Sequence, residues 1–130
     1  MGQQQLLLIV LGVIIVGIAV VVGINVFTAS SSQANTDAVI ADLTNLASLA
    51  QQYYRKPTAL GGGGNAFTGW TVPSTLDTTG NGTYTANVNS ATQVTIVGNG
   101  NENGTKVPTA KVKVTMIVAP DQITSTTIDQ

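Results

Sequence analysis

The side chains of this chain that could do acid–base or ligand chemistry are few and scattered. The 130 residues include five basic and six acidic residues, no histidine and no cysteine. Imidazole bases, thiolate nucleophiles, disulfides and the usual zinc ligands are therefore missing from the sequence. The carboxylates, which show no calcium-loop spacing, are Asp37, Asp42, Asp77, Glu102, Asp121 and Asp129. Asp37 and Asp42 fall within a helical pattern, where we interpret them as part of a solvated face.

Two loop clusters combine carboxylate and amide oxygens, which are ligands that calcium accepts. Asp77 lies near Asn81, and Glu102 lies between Asn101 and Asn103. Solvated polar loops explain both clusters more simply, so the sequence predicts no metal site.

The run Gly61–Gly64 is the one stretch that suggests a phosphate-binding loop. No predicted strand precedes it, no clear helix follows it, and the Lys-Ser/Thr pair of a P-loop is missing. A linker is the better interpretation. The sequence thus predicts no catalytic residue and no cofactor, and we expect the protein not to be an enzyme.

The charge balance also argues against a nucleic-acid ligand. The formal net charge is -1, and charged residues make up only 8% of the chain. A protein that binds nucleic acid needs a basic patch to neutralise phosphates. No nucleic acid is therefore predicted as a direct partner.

The N-terminal segment is almost wholly aliphatic. Between Leu6 and Phe27 the only polar side chain is Asn25, and about 20 apolar residues suffice for a helix to cross the hydrocarbon core of a membrane. The preceding residues contain no Lys or Arg, whereas a cleavable signal peptide has a basic n-region and a shorter apolar core. The sequence predicts a membrane-spanning segment with the C-terminal part exported.

The helical pattern continues beyond this segment in amphipathic form. No proline occurs before Pro57, so one helix is predicted from about Gln3 to Lys56. Its predicted buried face consists of Val39, Ile40, Leu43, Leu46, Ala47, Ala50, Tyr53 and Tyr54. The glycines Gly12, Gly17 and Gly23, with the serines at 30–32, are expected to permit a bend or local unwinding.

The C-terminal part has the composition of a small β-sheet. A flexible glycine-rich exit follows the helix, and Phe67, Trp70, Val72 and Leu76 are expected to anchor the irregular stretch after it. Strands are predicted at 84–88 after an Asn81-Gly82 turn, at 91–97 and at 110–119, with a polar loop at 98–109. The last ten residues are expected to form an edge strand or a tail.

These elements define the predicted architecture. Residues 1–56 form the helix, with an apolar half at 1–28 and an amphipathic half at 29–56. Residues 57–83 form the connector, and residues 84–130 form the sheet region. The predicted fold class is α+β, with a long N-terminal helix packed on a small antiparallel sheet.

This order of elements resembles the type IV pilin and pseudopilin family. Met1 matches the family's first residue, and the run Leu6-Leu7-Leu8-Ile9-Val10 matches its aliphatic stretch. Gln5 stands where bacterial members carry a glutamate that neutralises the amine of an adjacent subunit. A neutral amide can still accept a hydrogen bond from that amine. In a second register, cleavage after Gly2 would make Gln3 the first residue.

The resemblance implies a structural subunit of an extracellular type IV pilus-like filament. The partners it implies are identical subunits, the inner membrane before assembly and the pilus assembly machinery. Residues implied in the filament core are Gln5, Leu6, Leu7, Leu8, Ile9, Leu11, Ile14, Ile15, Ile18, Ala19, Val22, Gly23, Val26 and Phe27. Among them, Ala19 and Gly23 form a small-xxx-small pair that permits close helix approach.

Two alternatives to a surface filament remain open. One is a membrane-anchored pseudopilin or other bitopic secretion component that forms no long surface fibre. The other is a one-span protein with an independent binding domain, which predicts a stable monomer in detergent.

The chain also contains two N-glycosylation sequons. They begin at Asn81 and Asn103, in predicted loops. Asn-Gly is equally typical of turns, so both positions are candidate glycosylation sites with a purely structural alternative.

Overall fold

The computed structural model describes residues 2–107 and 109–129, and the chain divides into two compact units, Met1–Ser31 and Ser32–Gln130. The elements in chain order are α1 (Gly2–Arg55), a 3₁₀ turn (Thr58–Leu60), β1 (Gly82–Ser90), β2 (Gln93–Asn103), β3 (Lys111–Val118) and β4 (Ile123–Asp129). The predicted α+β class is confirmed. Met1, which the resemblance aligns with the family's first residue, lies outside the described residues.

The first unit is the apolar half of α1. Every described residue from Gly2 to Arg55 is helical, including Gly12, Gly17 and Gly23, so the expected local unwinding is absent. Long aliphatic side chains favour the helix, and no proline interrupts its hydrogen bonds. The predicted helix bounds are thus confirmed to within a residue.

The second unit is built on the amphipathic half of α1. Its buried residues recur every three or four positions, as the pattern of one helical face requires, and are Ser32, Thr36, Val39, Leu43, Leu46, Ala47 and Ala50. Ile40, Tyr53 and Tyr54 are partly buried at the margin of the same core. The predicted apolar face of the helix is therefore confirmed.

The sheet is an antiparallel meander with the strand order β1-β2-β3-β4. Alternate side chains of its strands enter the core shared with α1: Tyr84, Val94, Ile96, Val112, Val114, Met116 and Val118. β3 follows the predicted strand to within one residue at each end. Of the two structures expected for the last ten residues, an edge strand or a tail, the edge strand is present as β4.

The predicted loop at 98–109 is wrong in its first half, because β2 continues to Asn103. The glycines that suggested a loop occupy buried sites where a side chain has no room. A Cβ at Gly98 would lie 2.8 Å from Val39 Cγ1 and 2.9 Å from Tyr84 Cε1. At Gly100 it would lie 3.1 Å from Val112 Cβ. These glycines permit close approach between helix and sheet and do not form a turn.

The other strand limits also need correction. Gly82, predicted as part of a turn, is the buried first residue of β1. A Cβ at this position would collide with the backbone of Asn99, so the strand pairing requires glycine here. β2 begins at Gln93, since Ala91 and Thr92 form the turn of the β1–β2 hairpin.

The glycine-rich exit from α1 is hydrogen-bonded to the helix, contrary to the predicted flexible linker. Gly63 N–H donates to the carbonyl of Tyr53 at 2.8 Å, and Gly64 N–H donates to Lys56 at 2.9 Å. Asn65 N–H donates to Tyr54 at 2.7 Å. Carbonyls at a helix C-terminus lack intrahelical donors, so this segment acts as a cap.

The irregular stretch after this cap packs into the core as predicted. Phe67 and Trp70 are buried, and Val72 and Leu76 are partly buried against the same cluster. The ring centroids of Phe67 and Tyr54 lie 5.0 Å apart.

Candidate assembly surface

The apolar half of α1 exposes its hydrophobic side chains. Every large apolar side chain from Leu6 to Phe27 is more than half accessible in the single chain, from 52% at Leu11 to 75% at Phe27. Exposure of so much aliphatic surface to water is unfavourable, since burying one Leu or Ile side chain stabilises a protein by roughly 1.5–3 kcal/mol. This segment therefore requires an apolar environment, and α1 is long and apolar enough to cross a membrane.

The exposed surface has no single apolar stripe. Consecutive residues such as Leu6, Leu7 and Leu8 are all exposed, so apolar side chains surround the helix axis. A helix that is apolar all round is buried on all sides, either by lipid or by other helices. All the residues that the resemblance placed in a filament core lie on this surface.

The polar groups of the segment are few and lie near its ends. Gln3, Gln4 and Gln5 are exposed in the first turns of α1. Near the other end, the hydroxyl of Thr28 donates to the carbonyl of Ile24 at 2.9 Å, which satisfies the hydroxyl within its own helix. The other polar side chains within the apolar half are those of the three glutamines and Asn25, all of them exposed.

Ala19 and Gly23 lie four residues apart on the helix, where side chains share one face. A Cβ added at Gly23 would meet no atom within 4 Å. The small side chains thus leave a shallow indentation open to an approaching helix.

The second unit contains a polar cluster centred on Asp42. The Tyr84 hydroxyl donates to Asp42 Oδ2 at 2.5 Å, and the Thr79 hydroxyl and Asn81 Nδ2 each donate to the same oxygen at 3.0 Å. The predicted solvated role of Asp42 is therefore wrong. Three donors from the sheet side converge on one helix carboxylate.

Electrostatics of this cluster favour an ionised Asp42. Burial raises the pKa of the Asp42 carboxyl, but hydrogen bonds from Tyr84, Asn81 and Thr79 outweigh burial, so the net pKa is lowered. Burial and the hydrogen bond to Asp42 together raise the pKa of Tyr84. The cavity beside Asp42 has a volume of about 10 Å³, enough for about one water molecule and too small for a substrate. The cluster therefore serves to connect α1 to β1 and the segment before it.

Asn35 forms a second polar link between helix and sheet. Its Nδ2 donates to the Asn81 carbonyl at 2.8 Å, and its Oδ1 accepts from the Glu102 N–H at 3.2 Å. The sequence predicted no role for Asn35. Its spacing carried a signal, because Asn35, Val39, Asp42 and Leu46 follow one another at intervals of four, three and four residues, which places them on one helix face.

The two sequons occupy different environments. Asn81 is half-buried, and its amide is committed to Asp42. Asn103 is exposed at the end of β2.

Two of the amide side chains considered for calcium are used in other contacts. Asn81 Nδ2 donates to Asp42 Oδ2 at 3.0 Å, and Asn101 Nδ2 donates to the Gly80 carbonyl at 2.8 Å. Within residues 2–107 and 109–129, no group of three or more acidic side chains converges in a way that could hold a metal ion.

Lys111 and Lys113 lie on β3, an interior strand of the sheet. They therefore do not protect a sheet edge from pairing, which is a common role of lysines on strands. Both are exposed on the face away from α1. The edges of the sheet are β1 and β4, and β4 contains no lysine.

Comparisons of this chain with protein-family models, with curated proteins and with solved structures found no match.

Proposed function

We propose that this chain is the structural subunit of an extracellular type IV pilus-like filament that polymerises through the apolar half of α1. The observation that carries the proposal is that every large apolar side chain from Leu6 to Phe27 is more than half exposed in the single chain. Identical helices packed side by side would bury that surface without any other partner.

The physical logic is a transfer between two apolar environments. Before assembly, lipid covers the helix, and in the filament like helices cover one another. Lipid tails are about as apolar as leucine, so leaving the membrane costs little hydrophobic free energy if other helices replace the lipid. One segment can thereby serve as a membrane anchor and as a filament core.

The order of the chain supports an outward position for the sheet. The second unit has its own core and a surface rich in Thr, Asn and Ser, which suits contact with water. The apolar segment has no core of its own, because all described residues from 2 to 30 are exposed. In the proposed filament the first unit forms the interior and the second unit the surface.

The first experiment is electron microscopy of cell-surface shear fractions, with mass spectrometry to identify the chain in any fibres. We expect long fibres that contain the full chain. Its confinement to the membrane fraction, as a dispersed monomer in detergent, would instead support a bitopic secretion component or a one-span binding protein.

A pair of matched variants tests the role of the apolar helix. Ile15→Asp places a charge on the apolar surface, and we expect fibre yield to fall by more than about tenfold, since burial of an unpaired carboxylate costs several kcal/mol. Thr109→Asp adds the same charge at an exposed position between β2 and β3 and should leave fibre yield unchanged. Equal yields from both variants would contradict assembly through α1. Recovery of both proteins in membranes confirms that insertion is not the step that fails.

A further inference from the structure

The two edges of the sheet have free backbone groups that match one another. Along β1 the backbone hydrogen bonds from outside the sheet lie at its two ends. Tyr84 N–H donates to Asp77 and Thr79 N–H donates to Gly82 at its beginning, and Phe67 N–H donates to Ala91 just beyond its last residue. Among the described residues, none of the backbone hydrogen bonds outside the β1–β2 ladder reaches the stretch from Ala86 to Ser90. β4 pairs with β3 alone.

We propose that the free edge of β4 pairs with the free edge of β1 in a neighbouring copy of this chain, so that one sheet continues from subunit to subunit. The inference rests on the proposed function, because it assumes that copies assemble side by side. It adds a second contact between subunits, made by the second unit and separate from the apolar half of α1.

Strand direction permits this pairing. In the meander, β1 and β3 run one way and β2 and β4 run the other. When a copy of the sheet is placed beside the first without being turned over, its β1 is antiparallel to β4. A sheet with three strands would present two parallel edges instead.

Side-chain orientation permits it as well. In an antiparallel ladder, residues two apart share both a side-chain face and the direction of their backbone N–H and C=O groups. Because Tyr84 N–H points away from β2, the core-facing residues Ala86 and Val88 also direct their backbone groups to the free edge. Following the register across the sheet, the outward-directed residues of β4 are Thr126 and Ile128, which lie opposite the core residues Met116 and Val114.

Both edges therefore direct backbone groups outward from residues on the same face of the sheet. Pairing them keeps the core faces of the two copies on one side, and no strand has to turn over. The four-strand count produces this agreement in both direction and face.

β4 has the features of an edge that is covered in the assembled state. All its residues are exposed, including Ile123 at 39% and Ile128 at 41%. Both isoleucines lie opposite buried valines of β3, Val118 and Val114, so they belong to the core-facing side. The strand lacks the Lys or Pro that commonly protects a free edge from pairing.

A second copy is the occupant that these edges specify. Pairing β4 with β4 would use the same patch on both subunits and stop at a dimer. Pairing β4 with β1 uses different patches, leaves one free edge at each end and repeats without limit, as a filament requires.

The covered part of β1 limits the register. Asp77 already occupies the backbone N–H of Tyr84, so the pairing cannot extend that far. We place Ile128 opposite Ala86 of the neighbouring copy and Thr126 opposite Val88 of that copy. Ile128 would then lie beside partly buried apolar side chains, and two residues on each edge would exchange backbone hydrogen bonds.

The chain has no natural cysteine, so crosslinking of assembled fibres tests this register directly. We expect the full-chain double variant Ala86→Cys with Ile128→Cys to form a ladder of covalent oligomers on oxidation, because directly opposed residues lie within disulfide reach. Within one copy, the edge strands are three strand spacings apart, at least about 14 Å, which excludes an internal disulfide.

The control is Asn87→Cys with Ile128→Cys. Asn87 is more exposed than Ala86 but projects from the opposite face of β1. Random collision would crosslink the control at least as well as the test variant. A ladder from the Ala86→Cys, Ile128→Cys variant and none from the control therefore indicates the specific pairing.

A proline substitution provides a second test that needs no crosslink. Thr126→Pro removes a backbone N–H directed to the free edge and retains the β3–β4 hydrogen bonds. We expect the concentration of full chain needed for filament growth to rise about tenfold. Thr126→Val keeps the N–H, so a rise with Thr126→Pro that Thr126→Val does not share reports the loss of the backbone donor. Unfolding of the second unit, followed by Trp70 fluorescence, checks that both variants fold.

The outcomes separate this inference from the proposed function. Wild-type filaments that give neither a ladder nor sensitivity to Thr126→Pro would overturn the strand pairing alone. Failure of the wild-type chain to form filaments at all would overturn both.

Discussion

The phenol of Tyr84 on β1 donates a 2.5 Å hydrogen bond to Oδ2 of Asp42 on α1. Thr79 and Asn81 donate to the same oxygen. The carboxylate thereby joins the helix to the first strand and to the segment that leads into it. Bonds to a charged acceptor are roughly twice as strong as neutral ones, so the cluster is expected to stabilise the second unit measurably.

Removal of the Tyr84 hydroxyl tests this link. We expect Tyr84→Phe to lower the free energy of unfolding by about 1.5–3 kcal/mol, because the ring stays packed while a hydrogen bond to a carboxylate is lost. Urea unfolding of the full chain in detergent micelles, followed by Trp70 fluorescence, measures the change. Tyr54→Phe is the matched control, since the contact of its ring with Phe67 survives the substitution. Similar losses from both variants would argue against a special role for Asp42.

The same cluster predicts how stability depends on pH. The folded state lowers the pKa of Asp42, so its contribution is complete above the ordinary carboxyl pKa of about 3.9 and is lost as pH falls through the folded value. The folded state raises the pKa of Tyr84, so its contribution is complete below about pH 10 and declines above it.

Unfolding free energies measured from pH 2 to pH 11 should therefore decline at both ends. We expect Asp42→Asn to be less stable than wild type at neutral pH and to show a shallower acid decline. Tyr84→Phe should reduce the alkaline decline. An Asp42→Asn curve parallel to wild type below pH 5 would exclude Asp42 as a source of the acid sensitivity.

Gly98 is predicted to be intolerant of any side chain. A Cβ there would lie 2.8 Å from Val39 Cγ1 and 2.9 Å from the Tyr84 ring, and both neighbours are buried. We expect Gly98→Ala to cost about 1–3 kcal/mol of unfolding free energy by overpacking. Gly80→Ala is the control, because a Cβ at Gly80 meets nothing within 4 Å. Thermal unfolding of the two variants in parallel distinguishes close packing from a general effect of replacing glycine.

Gly98 also illustrates what the sequence could and could not predict. Periodic apolar residues such as Leu43 and Leu46 identified the helix face, and strict alternation identified β3, because side-chain periodicity reports burial directly. At Gly98 and Gly100 the buried position carries no side chain, so the alternation of β2 was invisible beyond Val97. Absent side chains signal a loop and a close contact equally well.

Polar groups that bind across elements were missed for a related reason. Asp42 is charged, and a charged helix residue is most often solvated, so the sequence favoured an exposed face. Its donors Thr79 and Asn81 lie far away in the chain, and only the fold brings them to α1. The position of Asp42 beside Val39 on one helix face was the available clue.

The two sequons are predicted to differ if the protein is exported through a glycosylating pathway. The Asn81 amide is half-buried and donates to Asp42, whereas Asn103 is exposed. A glycosyltransferase must reach the amide nitrogen, so we expect modification at Asn103. Intact-mass analysis should show that Asn103→Gln removes a glycan and Asn81→Gln does not. A glycan at Asn81 alone would indicate modification before the second unit folds.

Gln5 is expected to contribute to assembly through its amide. In the proposed filament core, few other groups satisfy polar atoms, so an amide hydrogen bond between neighbouring helices would be retained. Gln5→Leu shortens the side chain by one atom and raises the apolar character of the helix, so hydrophobic burial alone predicts equal or better assembly. The amide hypothesis predicts the opposite, a fibre yield lower by about fivefold for the loss of about 1 kcal/mol. Gln3→Leu adds the same apolar surface two residues earlier and serves as the control. Counting fibres by electron microscopy at matched expression decides between the two, because wild-type yield from Gln5→Leu would exclude a contribution of the Gln5 amide to assembly.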